Sequence, residues 1–306
     1  MPPRDLLFYA THVVDATDAK LLRQTAASLD PERARLWVLL KEDDASAASL
    51  AATMSHLRPS ERVRHFAWSA QHVFAMFPAI ASAVAAATNH GWSRLYSLDN
   101  SSYARYHYNH AALALWNATH GDTDDAAAAY WWRVEPDVLL SGPSWQPLFD
   151  SLGTEAFDLV LPRYDSFARD PHYPHWADAA ALLEGLHPSR RLWSLVSVGR
   201  YSREFVRLLT VEMWARGRVG YEEVSLPAVC MRMAAKKRCA AASFATPGMG
   251  LPTLRLPPGG RAVAGRHFRF RPEFGCAEYL DARRNETMEL WHPVKDRQCV
   301  ARALGV

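Results

Sequence analysis

What this chain lacks narrows it first. It holds only five lysines, Lys20, Lys41, Lys236, Lys237 and Lys295, so arginine carries most of its positive charge. Its 35 basic residues against 32 acidic ones leave a net charge of +3, too small an excess to mark nucleic acid as a partner. Arginine suits bidentate phosphate contacts, although a GC-rich coding sequence produces the same bias. The four cysteines, Cys230, Cys239, Cys276 and Cys299, include no C-x-x-C pair, which disfavours a structural zinc site. All lie in the last third, either as disulfides of an oxidising compartment or as buried thiols. There is no G-x-G-x-x-G, which disfavours the common dinucleotide fold, and no G-x-x-x-x-G-K-[ST], which argues against a P-loop. Nor is there a G-x-S-x-G nucleophile elbow. No signal peptide opens the chain. A membrane anchor, if the native protein has one, lies outside this sequence. The longest apolar stretch, Val73–Thr88, is Ala-rich, short for a membrane span and broken by Pro78, so it reads as a buried helix. No internal repeat or low-complexity tract stands out.

What is there suffices for a large core. Hydrophobic residues make up 49% of 306, which fits one large α/β unit and excludes a disordered chain. Leu6–Thr11 reads as a first strand. Helix spacing follows over Asp15–Leu29, with Thr17 or Asp18 as its cap, and Leu36–Leu40 is a second buried strand. Strand, helix and strand in about forty residues make a βαβ unit, so the sheet is parallel here. Further helices are predicted at Ala45–Leu57, Asn109–His120, Trp145–Leu152 and Ser202–Arg216, and Gly220–Val224 leads into another that runs to about Lys237. Further strands are predicted at His65–Ala67, Ser93–Leu98, Trp131–Asp137, Phe157–Pro162, Trp193–Val198 and His267–Phe270. Arg163–Pro188 and Phe244–Arg266 read as loops. Three N-x-[ST] sequons, at Asn100, Asn117 and Asn285, are short enough to arise by chance.

Three constellations could carry chemistry. Carboxylates one residue apart occur by chance in a chain this size. Glu42/Asp44 and Asp122/Asp124 sit in polar turns, where solvated charge explains them. Glu135/Asp137 instead follows a wide apolar strand in the middle of the α/β pattern. Strand alternation would point both acids the same way. Such a pair is costly unless something positive lies between them, and a hard divalent cation fits. Open α/β sheets bind ligands at the carboxyl ends of their strands. Glu222-Glu223 opens a late helix, where the dipole favours acids; either could also serve as a general base. His292, in Trp291-His292-Pro293-Val294-Lys295, could complete a cation shell begun by carboxylates. His107, His110, His172, His175 and His267 compete with it on composition alone. The aromatic loop Tyr164–Trp176 could stack on sugar rings or pack as a lid.

Taken together these residues resemble a GT-A glycosyltransferase, and within that superfamily eukaryotic, often algal, sequences with a W-x-x-E-x-D-V-x-x-x-G core, here Trp132 to Gly142. The likeness continues through Arg200-Tyr201-Ser202-Arg203, Gly220-Tyr221-Glu222-Glu223-Val224-Ser225-Leu226-Pro227 and His292-Pro293-Val294-Lys295. It implies a GT-A-like, Rossmann-like α/β fold: one domain with a mostly parallel central sheet flanked by helices. Residues 1–142 would form the nucleotide-sugar half and 143–306 the acceptor half. The resemblance further implies Mn²⁺ or Mg²⁺ on Asp137, Glu135 and His292, with Asp137 the direct ligand. Glu223 is preferred over Glu222 as the catalytic base. Tyr9, Thr11, His12, Arg105, Asn109, Glu135 and Lys295 are the expected contacts to a UDP- or GDP-linked donor. The acceptor would be a glycan, glycoprotein or glycolipid, and a eukaryotic member with an N-terminal anchor would work in the Golgi or secretory lumen. Two other readings remain. One is an inactive carbohydrate-binding or scaffolding relative. The other is a sugar-phosphate nucleotidyltransferase, which would want glycine after strand one, where Tyr9–Asp18 has none.

Overall fold

The computed structural model describes residues 4–57, 62–88, 105–152, 156–244, 268–270 and 275–305. The expected strand Ser93–Leu98, the sequon at Asn100, His267 and most of the 244–266 segment lie outside these.

Among the described residues the strands are β1 (Asp5–Thr11), β2 (Ala34–Lys41), β3 (Val63–Trp68), β4 (Tyr130–Val134), β5 (Leu139–Leu140), β6 (Leu159–Leu161), β7 (Tyr164–Ser166), β8 (Leu192–Ser194), β9 (Val198–Ser202), β10 (Ala241–Ser243), β11 (Phe268–Phe270) and β12 (Leu290–His292). Seven of them form a central sheet in the order β10-β6-β9-β4-β1-β2-β3. Only β9 runs antiparallel to its neighbours, β4 and β6. The other pairings, β1 with β2 and β4, β2 with β3, and β10 with β6, are parallel. The chain is thus a single α/β domain with a mostly parallel central sheet between helices.

The βαβ start forms as its sequence predicts. The cap differs: Asp15 is the N-cap of the helix Ala16–Ser28, and Asp18 closes a capping box from the third turn position. The long apolar stretch is two helices, Ala70–Met76 and Pro78–Thr88, because proline is tolerated at a helix start but not within one. Asn109–Ala111 is a 3-10 turn leading into the helix Ala112–His120. The run at 193–198 splits, giving β8 and β9 with Leu195–Ser197 between them. Ser202 ends β9 and caps the helix Arg203–Glu212 with its hydroxyl. The expected 163–188 loop contains β7, which pairs with β8.

Trp131 and Trp132 of β4 are both fully buried, one on each face of the sheet, as alternation requires. On one face Trp131 meets Phe8 and Trp116 edge to face. On the other Trp132 packs on Phe149 and Phe244. Helices thus cover both faces of β4, the usual condition for a parallel strand. A third apolar cluster, built around Leu139, Tyr279, Trp291, Val294 and Val300, packs the C-terminal helices on a separate three-stranded sheet of order β11-β12-β5. Here β12 pairs antiparallel with β5, placing Trp291 opposite Leu139. Both cysteine pairs are disulfides, Cys230–Cys239 and Cys276–Cys299, which decides the alternative left open by the sequence. Among the described residues no helix is long and apolar enough to cross a membrane.

The Cys276–Cys299 bridge ties the helix Cys276–Arg284 to the helix Arg297–Ala303 on either side of β12. Replacing both cysteines by serine is expected to lower stability by about 2–4 kcal/mol. Urea denaturation would check this, and an unchanged midpoint would contradict it.

Candidate metal and active site

The carboxyl ends of β1, β4 and β6 share one edge of the sheet. The expected strand through Asp137 stops instead at Val134, and Glu135-Pro136-Asp137 is a turn. The two acids therefore converge through a turn and not through strand alternation. Four hydrogen bonds fix that turn. Glu135 N donates to Ser197 O at 2.8 Å, and Val138 N to Glu135 O at 3.1 Å. Tyr9 Oη donates to Pro136 O at 3.0 Å. Val294 N donates to Asp137 O at 2.8 Å, which brings the end of β12 against the turn.

His292 arrives by that route. Its Nε2 lies 3.4 Å from Asp137 Oδ1 and 3.6 Å from Glu135 Oε2. Donor atoms of the three residues all fall within 4.8 Å of one another. Among the described residues no other trio of His, Cys, Asp or Glu converges this way. Two oxygens and one imidazole nitrogen at that spacing suit a divalent cation such as Mn²⁺.

The electrostatics are those of mutually dependent charges. Burial would lower the His292 imidazole, but hydrogen bonds to Asp137 and Glu135 push it up to about 9. Burial would raise Glu135, yet its bond to His292 and the charge of Arg133 hold it below the usual carboxylate range. Arg133 is buried in β4, with Nη1 3.8 Å from Glu135 Oε1 and 3.5 Å from His110 Nε2.

The Glu222-Glu223 pair divides. Adjacent residues on a helix point about 100° apart. In the first turn of Glu222–Ala234 one acid therefore faces inward while its neighbour does not. Glu222 is buried and accepts from His110 N at 2.7 Å, and its Oε2 lies 2.6 Å from His110 Nδ1. His110 Nε2 in turn sits 3.0 Å from Tyr201 Oη. Gly199 makes that hydroxyl's position possible, since a Cβ there would lie 2.4 Å from it. Glu222 is thus committed to the core, which argues against the catalytic assignment made for it alongside Glu223. Glu223 accepts a hydrogen bond from Tyr173 Oη. Burial pushes the Glu223 carboxyl up to about 7 against that bond; the charge of Glu135 adds to the rise, while His292 and Arg163 oppose it.

Of the expected donor contacts, Tyr9, Thr11 and His12 lie at or just beyond the carboxyl end of β1. Tyr9 is buried and braces Pro136. Thr11 Oγ1 turns back to Val13 O at 2.7 Å, and His12 is exposed just beyond β1. Arg105 lies half-buried over the Tyr106 ring, Asn109 is half-buried in its 3-10 turn, and Lys295 is exposed three residues past His292. Of the competing histidines, His110 is the partner of Glu222 and His175 that of Asp178, at 2.8 Å. Arg200, within the resemblance, is buried against Tyr130 and bonded to Leu152 O at 3.2 Å. Sequence reasoning singled out neither Arg133, Tyr173 nor Tyr201; the partners of the two tyrosines, Glu223 and His110, are distant in the chain.

No family model matches this chain, and no curated protein does. Among solved structures it overlaps the galactosyltransferase LgtC in complex with donor and acceptor sugar analogues, at 15% identity and a TM-score of 0.46, covering 98% of this chain and 95% of that one. Mouse xyloside xylosyltransferase 1 overlaps at 9% identity and 0.41, covering 95% and 97%. Core-mannan synthase A from Aspergillus fumigatus, in a Mn/GDP form, overlaps at 11% and 0.39, covering 79% and 72%. Overlaps this loose assign no activity.

The two glutamates should separate in stability. Glu222→Gln is expected to cost about 2 kcal/mol, because it removes a charged partner from the buried His110. Glu223 titrates near 7 when folded against 4.5 as the ordinary value, so the folded state binds the extra proton. Its contribution to stability is therefore present at acid pH and is lost as pH rises through that interval. Glu223→Gln should then gain on the wild type between pH 5 and pH 8 in paired urea melts.

Proposed function

We propose that this protein is a metal-dependent glycosyltransferase, moving a sugar from a UDP- or GDP-linked donor to a hydroxyl of a glycan, glycoprotein or glycolipid. The observation that carries the proposal is the convergence of Glu135, Asp137 and His292 at the carboxyl edge of the sheet, within electrostatic reach of the Glu223 carboxyl. That edge is where open α/β sheets bind ligands.

Asp137, Glu135 and His292 would hold Mn²⁺ or Mg²⁺, and the chemistry supplied there by a bound cation is Lewis-acid stabilisation of the leaving nucleoside diphosphate. Arg133 holds Glu135 from behind. The Pro136 turn between the two acids is braced by Tyr9. Glu223 takes the proton of the acceptor hydroxyl as that oxygen bonds to the anomeric carbon and the bond from that carbon to the diphosphate oxygen breaks. A carboxyl titrating near 7 suits that task at neutral pH. Direct displacement of this kind inverts the anomeric centre. His12, Arg105, Asn109 and Lys295 remain candidates for donor contact, and the relation to the algal-type sequences belongs to this same reading.

Release of UDP or GDP from a panel of nucleotide sugars in Mn²⁺ tests it. Wild type should turn over at least one donor. Asp137→Ala should abolish both Mn²⁺ binding and turnover. Glu223→Gln should bind Mn²⁺ as wild type does and lose about 10²–10⁴-fold in rate. Wild-type kcat/KM should fall below about pH 7 as Glu223 takes up its proton. A product with retained configuration would contradict the base. Silence across the panel with sugar binding intact would favour the inactive relative.

A further inference from the structure

Glu223 is held from outside its own helix. Tyr173 lies between β7 and the short helix Ala180–Leu183, fifty residues before it in sequence, and donates its phenolic hydrogen to Glu223 Oε2. The tyrosine ring is fixed in turn. It lies flat on Trp193 of β8, with centroids 4.3 Å apart and an interplanar angle of 0°. His175 and Trp176 meet it edge-on at 5.2 and 5.9 Å. Trp193 is placed by its pairing with Asp165 on β7, and the Arg163 guanidinium sits 5.8 Å from its ring. Trp176 Nε1 donates to Asp170 O at 2.9 Å, and Tyr173 N donates to the same carbonyl at 3.3 Å.

Such a platform leaves the tyrosine hydroxyl little freedom, because the side chain has two torsions and its ring is clamped. A carboxylate whose one oxygen meets a fixed donor is confined to one orientation, with the other oxygen pointing away from that donor. A half-buried tyrosine hydroxyl could satisfy itself on water or on any backbone carbonyl. This one instead reaches the acid proposed as the base.

We propose that Tyr173 is a positioning residue for Glu223, fixing Oε2 so that Oε1 faces the attacking acceptor hydroxyl. The inference rests on the reading of Glu223 as the base. It gives the 163–176 segment a role in setting base geometry, where the sequence offers only sugar stacking or packing. A donated hydrogen bond also favours the charged carboxylate, so the same contact offsets part of the effect of burial.

Tyr173→Phe removes the hydroxyl and keeps the stack on Trp193. A ¹³C-glutamate NMR titration, with the Glu223 signal assigned by its loss in Glu223→Gln, reads the effect without any substrate. The Glu223 midpoint is expected to rise by about one pH unit, a tenfold change in its proton dissociation constant. With a donor from the panel, kcat at pH 7 should fall by more than the about fivefold that a one-unit shift accounts for, and the excess, which reads the lost orientation, should persist at higher pH. The donor KM and Mn²⁺ affinity should hold, a split that mere loosening of the fold would not produce. A second variant, Trp193→Phe, leaves the hydroxyl and weakens the platform beneath it, and should shift the midpoint less in the same direction. An unchanged Glu223 titration in both variants overturns the positioning role alone. A wild type that turns over no nucleotide sugar overturns the base, and this inference with it.

Discussion

Two carboxylates brought together at a sheet edge repel each other, and the rest of the site depends on what offsets that repulsion. In this chain the offset comes from the far end of the sequence. The pairing of β12 with β5 and the bond from Val294 N to Asp137 O deliver His292 to the acids. The apolar cluster around Trp291 and the Cys276–Cys299 bridge hold that segment down. Arg133 supplies the second positive group, from within β4. An imidazole poised between two acids neutralises them in the absence of a cation and offers a nitrogen ligand in its presence. The same arrangement is thus consistent with a stable apo fold and with a metal site.

A second division of labour lies in the first turn of the helix Glu222–Ala234. One glutamate anchors the helix to His110 in the core, and its half-buried neighbour stands beside Tyr173. The core member can be held rigidly because His110 also meets Tyr201, whose hydroxyl occupies the space left by Gly199. The other is held by Tyr173 from another part of the chain, the aromatic loop that stacks on β8. The proposed base and the proposed metal ligands therefore sit on different elements of one domain, which is the kind of rigid support a reacting geometry needs.

Legibility in the sequence followed sequence distance. The βαβ start was readable because its apolar runs, polar breaks and capping acids are local. The strand into Glu135-Pro136-Asp137 was readable as an apolar run, but its end was not, since the turn is closed by Ser197, Val294 and Tyr9 from elsewhere. β10 is three small residues and carries no periodicity. β7 hides in a His- and Pro-rich stretch, and the helix Cys276–Arg284 was not recognised at all. In the site, Glu135 and Asp137 stood out by their context and His292 through the resemblance. His110 and Tyr173 left no local signal, because each matters through a partner 50 or more residues away, and Arg133 stood two residues from Glu135 without marking itself as its counter-charge.

The most direct measurement is a crystal structure with Mn²⁺ and UDP, with the ion located by its anomalous scattering. The account predicts one Mn²⁺ peak bonded to Asp137 and His292, with Glu135 at the ion or one water away and the diphosphate on the same ion. A structure in which Mn²⁺ and UDP bind elsewhere, with His292 still seated between the two carboxylates, would contradict it.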